Sequence, residues 1–327
     1  MKVLVTGANG FIGSAVVEAL SHRDDCEPLL ALRHEPAAVP PHRYAVKGNL
    51  SPDTDWRDAL QGCSAVVHCA ARVHVMDDPE ADPLAAFRRA NVDGTLNLGR
   101  QAAQAGVSRF VFISSIKVNG EQTTCDTPFT GEDEPAPSDP YGISKLEAER
   151  GLLALAEETG MEVVIIRPPL VYGPGVKANF ESLMRWLSKG VPLPLGAIHN
   201  RRSLVARANL VDLIVTCIDH PAAANQVFLA GDGEDLSTTE LLHRLGRALG
   251  IPARLLPVPA GLLEAGAALL GKRAVAQRLC GSLRVDIGKA RQRLGWQPPV
   301  SVDDALQETA RAFLAARQLP STQDVTS

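Results

Sequence analysis

The 327-residue chain has no C-x-x-C pair and no histidine cluster at metal-ligand spacing. Its six cysteines (Cys26, Cys63, Cys69, Cys125, Cys217 and Cys280) are scattered, the pattern of buried or incidental thiols in a reducing cytoplasm. No metal site is expected. There is no long run of one charge either: 33 basic and 37 acidic residues are interspersed and leave a net charge of -4. Without a basic stripe to neutralise a phosphate backbone, a nucleic-acid partner is excluded and any anion must be bound locally. The apolar N-terminus is interrupted by Gly7, Asn9 and Gly10 and followed by Glu18, so it is no signal peptide, and a cytoplasmic protein is expected. The most lipophilic stretch, Leu255 to Leu270, carries Pro257, Pro259 and Glu264 and is too short to span a bilayer. It reads as a packed helix. Internal repeats and low-complexity segments are absent.

What is present is a chain that is 45% hydrophobic, enough for one large core or two modest ones, which suits a two-lobed enzyme. Its first turn is the most informative segment. The apolar run Val3-Leu4-Val5 leads into Thr6-Gly7-Ala8-Asn9-Gly10-Phe11-Ile12-Gly13 and then into the amphipathic stretch Ser14 to Leu20. A strand feeding a glycine-rich turn into a helix makes a dinucleotide cradle: Gly7 allows the tight turn, Gly10 admits phosphates beside main-chain N–H groups, and Gly13 lets helix and strand pack closely. The context of strand before and helix after is what gives the glycine triplet its weight.

Strands and helices then alternate through the first half. Val3 to Val5, Pro28 to Leu32, Tyr44 to Val46, Ala65 to Cys69, Phe110 to Ile113 and Val163 to Ile166 read as short apolar strands, with helical stretches between most of them. That order predicts an α/β fold, a doubly wound parallel sheet of Rossmann type with ligand at the carboxyl ends of its strands. The Pro/Gly-rich stretch from Pro168 to Gly175 marks the exit from this lobe. A dinucleotide-binding domain is expected over residues 1–170, with residues 204–232 returning to it. A smaller, mostly helical substrate lobe is expected over 171–317, and a flexible polar tail over 318–327.

Tyr141 and Lys145 stand four apart on a predicted helix introduced by Asp139-Pro140, a spacing that puts both side chains on one face. Tyrosine has a free pKa of about 10 and works as a base near neutrality only beside a cation, which the lysine and an oxidised nicotinamide together supply. Ser115 ends the strand Phe110-Val111-Phe112-Ile113, so its hydroxyl reaches the same edge and can bond an alcohol oxygen next to the tyrosine. The three make one catalytic constellation. At the end of the second strand stands Arg33-His34 where an acidic residue would accept the ribose hydroxyls of NAD. A cation there favours the 2′-phosphate of NADP(H), with NAD(H) as the alternative.

With Gly7-x-x-Gly10-x-x-Gly13, His68-Cys69-Ala70-Ala71, Asn91-Val92-Asp93-Gly94-Thr95, Ser114-Ser115, Tyr141-Gly142-Ile143-Ser144-Lys145, Arg167-Pro168 and Leu294-Gly295-Trp296, the chain resembles the extended short-chain dehydrogenase/reductase superfamily over nearly its whole length. Specifically it resembles the NAD(P)-dependent nucleotide-sugar epimerase, dehydratase and reductase group. The resemblance implies that Tyr141 is the acid/base, that Lys145 holds the nicotinamide ribose and lowers the tyrosine pKa, and that Ser115 orients the reacting oxygen. It implies a cofactor contacted by Gly7, Asn9, Gly10, Phe11, Ile12, Gly13, Asn49, Leu50, Ala70, Ala71, Asn91 and Pro168, although family members usually carry aspartate where Asn49 stands. It also implies a homodimer formed through the helices after Ala81 and from Tyr141 to Glu158.

If the substrate is a nucleoside-diphosphate sugar, with a UDP-sugar the expected partner, the second lobe must offer cations to the diphosphate.

 The segment Arg201-Arg202-Ser203 fits, and the resemblance maps a phosphate-contacting arginine onto Arg202; Arg284, Lys177 and Asn179 are further candidates. Trp296 reads as core. Lys117 stands out in Ser115-Ile116-Lys117-Val118-Asn119: the group's 4,6-dehydratases place an acidic pair at Ile116 and Lys117, and removing water needs that pair. A dehydratase is therefore disfavoured. The group's 4-epimerases carry a small polar residue at the Lys117 position and a tyrosine at Asn119.

The segment looks most like bacterial reductases of UDP-linked 4-keto-6-deoxy amino sugars, with Lys117 bonding the sugar. The leading expectation is thus an NADPH-dependent 4-keto reductase of polysaccharide biosynthesis, and the alternative is a UDP-sugar 4-epimerase with tightly held NAD. A non-catalytic dinucleotide sensor is the third reading, which the intact serine, tyrosine and lysine disfavour.

Overall fold

Ten strands appear in the computed structural model, which describes residues 1–73, 82–124 and 126–318: β1 (Lys2–Thr6), β2 (Glu27–Leu32), β3 (Tyr44–Val46), β4 (Ala65–His68), β5 (Arg109–Ile113), β6 (Glu162–Arg167), β7 (Leu170–Tyr172), β8 (Arg202–Ala206), β9 (Gln226–Leu229) and β10 (Asp235–Leu236). Seven of them form one parallel sheet in the order β3-β2-β1-β4-β5-β6-β9. The chain winds outward from β1 to β3 and then returns to β4, so the order reverses between β1 and β4. That reversal opens a crevice at their carboxyl ends, where Thr6 lies opposite His68.

The strands are apolar at almost every position because both sheet faces are covered. Val3, Val5, Val67, Val111 and Val164 face one core, shared with Val16 and Leu20 of the helix Gly13–Ser21 and Leu210 and Ile214 of the helix Arg207–Asp219. Leu4, Val66, Phe110, Phe112 and Val163 face the other, against Leu98, Leu152 and Leu155. Leu152 and Leu155 are therefore packed inside the chain. Alternation of period two sends neighbours in each strand to opposite cores.

A third core, including Tyr172, Phe180, Leu204, Leu242 and Leu306, holds the second lobe together. That lobe contains a small sheet, β10-β8-β7, which the loose pattern after Arg167 does not announce. Strand β9 and the helix Arg207–Asp219 pack with the seven-stranded sheet. So does the helix Gly288–Leu294, whose Ala290 and Leu294 join Ile287 and the buried Trp296 in the first core.

One expectation is corrected. Leu255 to Leu270 does not form a packed helix: the helix Ala260–Leu269 has no buried residue, and Leu262, Leu269 and Leu270 are exposed. It is apolar around most of its circumference, and only its partly buried Ala260 and Leu263 reach the third core. The last described helix, Val302–Gln318, runs into the expected tail; residues 319–327, like Cys125 and residues 74–81, lie outside the described residues. Among the described residues no helix is long and apolar enough to cross a membrane.

Candidate active site

The crevice begins with the glycine turn. Gly7 has φ of +64°, and a Cβ there would lie 2.9 Å from Ala70 N. At Gly13 a Cβ would lie 2.2 Å from the Gly7 carbonyl oxygen, and Gly10 N donates to that same oxygen at 2.8 Å. The turn is folded back on itself so tightly that no side chain fits inside it. It leaves Asn9 and Gly10 exposed at the start of the helix Gly13–Ser21, whose N-cap Ile12 offers no side-chain acceptor to the helix N–H groups. A diphosphate fits that cradle by its charge and by the N–H groups it needs. Phe11 lies beside it with the Arg207 guanidinium 5.2 Å from its ring centroid.

The floor of the crevice comes from β4. Ala70 N donates to Thr6 Oγ1 at 3.2 Å, and Ala70 and Ala71 are half-buried. Asn91 sits in a wide helical turn, Arg88–Gly94, and its Oδ1 accepts from Arg72 N at 2.8 Å. Its Nδ2 donates to Arg72 O and, at 3.1 Å, to Ser144 Oγ, joining the segment after β4 to the helix Pro140–Thr159. Gly94 packs against Leu50 and Ser51, which fixes the loop where Asn49 is exposed. Arg33 is exposed just beyond β2.

The helix Pro140–Thr159 starts where it does because Asp139 caps it, accepting from Gly142 N at 2.6 Å, with proline at its first position. It carries both Tyr141 and Lys145. A Cβ at Gly142 would lie 2.9 Å from the Lys117 carbonyl oxygen, so the first turn of this helix abuts the short turn Ile116–Val118. Ser115 caps that turn, its Oγ accepting from Lys117 N at 3.3 Å, and Ile116 N donates to Pro168 O at 3.0 Å. Ser115, Tyr141 and Pro168 are thereby held on adjoining segments. The Tyr141 ring meets Phe87 edge-on at 6.0 Å between centroids.

Lys145 is buried with its Nζ 4.2 Å from the Phe112 ring centroid. Burial pulls its pKa down to about 8, against the attraction of Glu149 and Cys69. Tyr141 moves the other way: burial, and then the Asp139 charge, push its phenol up to about 12. The lowered tyrosine pKa that the resemblance implies is thus not a property of the chain alone. An oxidised nicotinamide, if held here, would supply the further positive charge and a hydride acceptor. Beneath Lys145 lies His68, buried between Thr6 Oγ1 at 2.6 Å and Thr95 Oγ1 at 2.9 Å, with its pKa brought down to about 3 by burial and by the Lys145 charge.

The candidates for substrate contact are placed less uniformly. The Lys117 ammonium pairs with Asp139, the cap of the helix Pro140–Thr159, and with Glu121 at 3.2 Å. Burial opposes its charge, but the hydrogen bond and charge of Asp139 outweigh that and hold its pKa above the ordinary lysine value. Arg202, at the start of β8, donates to Gly281 O at 2.9 Å, and burial lowers its pKa while Glu121 raises it. Arg284 Nε donates to Asp235 at 2.6 Å. Asn179 is exposed in the first turn of the helix Ala178–Ser188, after Lys177.

Sequence reading missed the partners of Lys117 and the buried network of Glu149, Arg167, Ser114 and Asn119 behind the site. In that network Arg167 binds both Glu149 oxygens and also Asn119 Oδ1 at 3.0 Å, while Ser114 Oγ donates to Glu149. The sequence hides it: Arg167 closes an apolar strand, but Glu149 stands among Lys145, Glu147 and Arg150 and reads as one more surface charge. Among the described residues no three His, Cys, Asp or Glu side chains gather as a metal site.

The model of the NAD dependent epimerase/dehydratase family matches residues 3–231. A Vibrio cholerae protein described as UDP-glucose 4-epimerase is 52% identical over 316 residues, covering 96% of each chain. Among solved structures, MoeE5 in complex with UDP-glucose and NAD superimposes with a TM-score of 0.76 at 26% identity, covering 97% of this chain and 100% of that one. UDP-N-acetylglucosamine 4-epimerase from Bacillus cereus shares the fold with a TM-score of 0.78 at 22% identity, covering 97% and 99%.

Proposed function

This chain belongs to the NAD dependent epimerase/dehydratase family, and from that footing we propose that it is a 4-epimerase of a UDP-sugar, using NAD. The observation that carries this reading is its likeness, over nearly the full length of both chains, to the Vibrio cholerae protein. Tyr141 takes the proton of the C4 hydroxyl and later returns it, Ser115 holds that oxygen, and Lys145 supplies the cation beside the phenol. A nicotinamide dinucleotide held beside them would supply the reversible hydride acceptor that inversion at C4 requires. Gly7, Asn9, Gly10, Phe11, Ile12 and Gly13 hold its diphosphate, with Asn49, Leu50, Ala70, Ala71, Asn91 and Pro168 around the rest. The diphosphate of the sugar nucleotide is assigned first to Arg202, with Arg284 and Asn179 as further contacts.

A second reading, an NADPH-dependent 4-keto reductase, draws support from Arg33 beyond β2 and from lysine at position 117. The two separate in one assay. Turnover of UDP-galactose or UDP-N-acetylgalactosamine by the purified protein without added cofactor is the epimerase result. NADPH consumption with a UDP-4-keto sugar, and no turnover of the other two, replaces it with the reductase. A homodimer is part of the same proposal, and light scattering at micromolar concentration tests it.

A further inference from the structure

The helices Ala260–Leu269 and Arg273–Cys280 pack against each other as an exposed hairpin on the second lobe. Its turn presents Leu269 and Leu270, 90% and 75% exposed, and Leu262 on the same helix is 67% exposed; Leu256 and Val275 add to the apolar surface. Single exposed leucines are ordinary, but a cluster of them on one projecting element marks an interaction surface. Charge tells which kind. The hairpin carries Lys272, Arg273 and Arg278 against one acidic residue, Glu264, on a chain whose net charge is -4. Lys272 and Arg273 are exposed immediately after the leucines.

We propose that this hairpin docks on the surface of an anionic lipid bilayer, with Leu269 and Leu270 entering the headgroup boundary and Lys272 and Arg273 meeting lipid phosphates. Shallow apolar insertion joined to basic residues is the combination that gives reversible interfacial binding. A second copy of the chain fits the surface poorly. A two-fold contact through the tip would set Lys272 and Arg273 against their own equivalents. Docking there also orients the substrate lobe. Gly281 O at the end of the hairpin accepts from both Asn200 Nδ2 and Arg202 Nη1, and a cleft of about 540 Å³ lined by His199, Asn200, Pro259 and Cys280 lies at its base.

The test is flotation of the full chain with vesicles of phosphatidylcholine alone or mixed with phosphatidylglycerol. Binding to the anionic vesicles only, weakened by salt, is expected. Leu269→Asp with Leu270→Asp lowers partitioning by about tenfold or more, and Lys272→Glu with Arg273→Glu by a similar factor, with sugar-nucleotide turnover in solution unchanged. Leu269→Trp keeps the surface apolar and gives a blue-shifted emission on anionic vesicles. Failure of the wild-type chain to float with anionic vesicles overturns the proposal. So does flotation that the aspartate pair leaves unchanged, or concentration-dependent self-association that the pair abolishes, which assigns the surface to a second copy.

Discussion

The guanidinium of Arg167 and the carboxylate of Glu149 face each other in the interior, Nη2 to Oε2 at 2.5 Å and Nε to both oxygens, with neither group open to water. Glu149 belongs to the helix that carries Tyr141 and Lys145, and Arg167 ends β6 next to Pro168, whose carbonyl holds the Ser115 turn. The pair therefore ties the helix Pro140–Thr159 to the strand edge beside Ser115.

Removing one charge leaves the other buried without its counterpart. Glu149→Gln is expected to lower stability by about 3–5 kcal/mol, read as a reduced urea midpoint. Adding Arg167→Met recovers part of the loss, because the uncompensated cation is gone. A single variant as stable as the wild type contradicts the buried pairing.

Tyr141→Phe keeps the ring against Phe87 and removes the proton carrier, so turnover falls by about 10²–10⁴-fold with dinucleotide affinity nearly unchanged. Lys145→Met costs a similar factor and also weakens dinucleotide binding. Initial rates and a fluorescence titration separate the two effects. Retained activity in Tyr141→Phe removes this tyrosine from the mechanism.

Gly13→Ala places a methyl where the Gly7 carbonyl oxygen stands, 2.2 Å away, so the turn must open. Dinucleotide affinity is expected to drop by about tenfold or more, equivalent to about 1.4 kcal/mol. Calorimetric titration measures it, and an unchanged affinity places the diphosphate elsewhere.

His68 gives a pH dependence of stability. Its folded pKa, about 3, lies below the ordinary value of 6.5, so below pH 6.5 the unfolded chain binds a proton that the folded chain refuses. Stability contributed by His68 is present above pH 6.5 and is lost as pH falls from 6.5 toward 3, with a slope approaching about 1.4 kcal/mol per pH unit. His68→Gln flattens that slope in urea titrations at stepped pH. An identical slope in the variant assigns the acid sensitivity to other groups.

The parallel sheet was legible because its central strands are buried on both faces and carry apolar runs, from Val3–Val5 to Val163–Ile166. The small sheet β10-β8-β7 was not, since its strands are two to five residues long and lie among helices. At the site, the tyrosine and lysine could be paired from spacing alone. Lys117 was read as a candidate sugar contact, and its nearest carboxylate is Asp139, 22 residues further along.

The amino-acid order by itself determined the features whose geometry is local: a glycine turn after a strand, an aspartate-capped helix, and two side chains one helical turn apart. Backbone sterics and helical periodicity act over a few residues, so these are written in a few residues. Only the tertiary structure decided that His68 sits between Thr6 and Thr95, that Glu149 is neutralised by Arg167, and that Leu269 and Leu270 lie outside every core. Burial and ion pairing depend on which distant segments meet. Hydrophobicity along a chain says that a side chain gains by leaving water, and not whether the fold has a place for it.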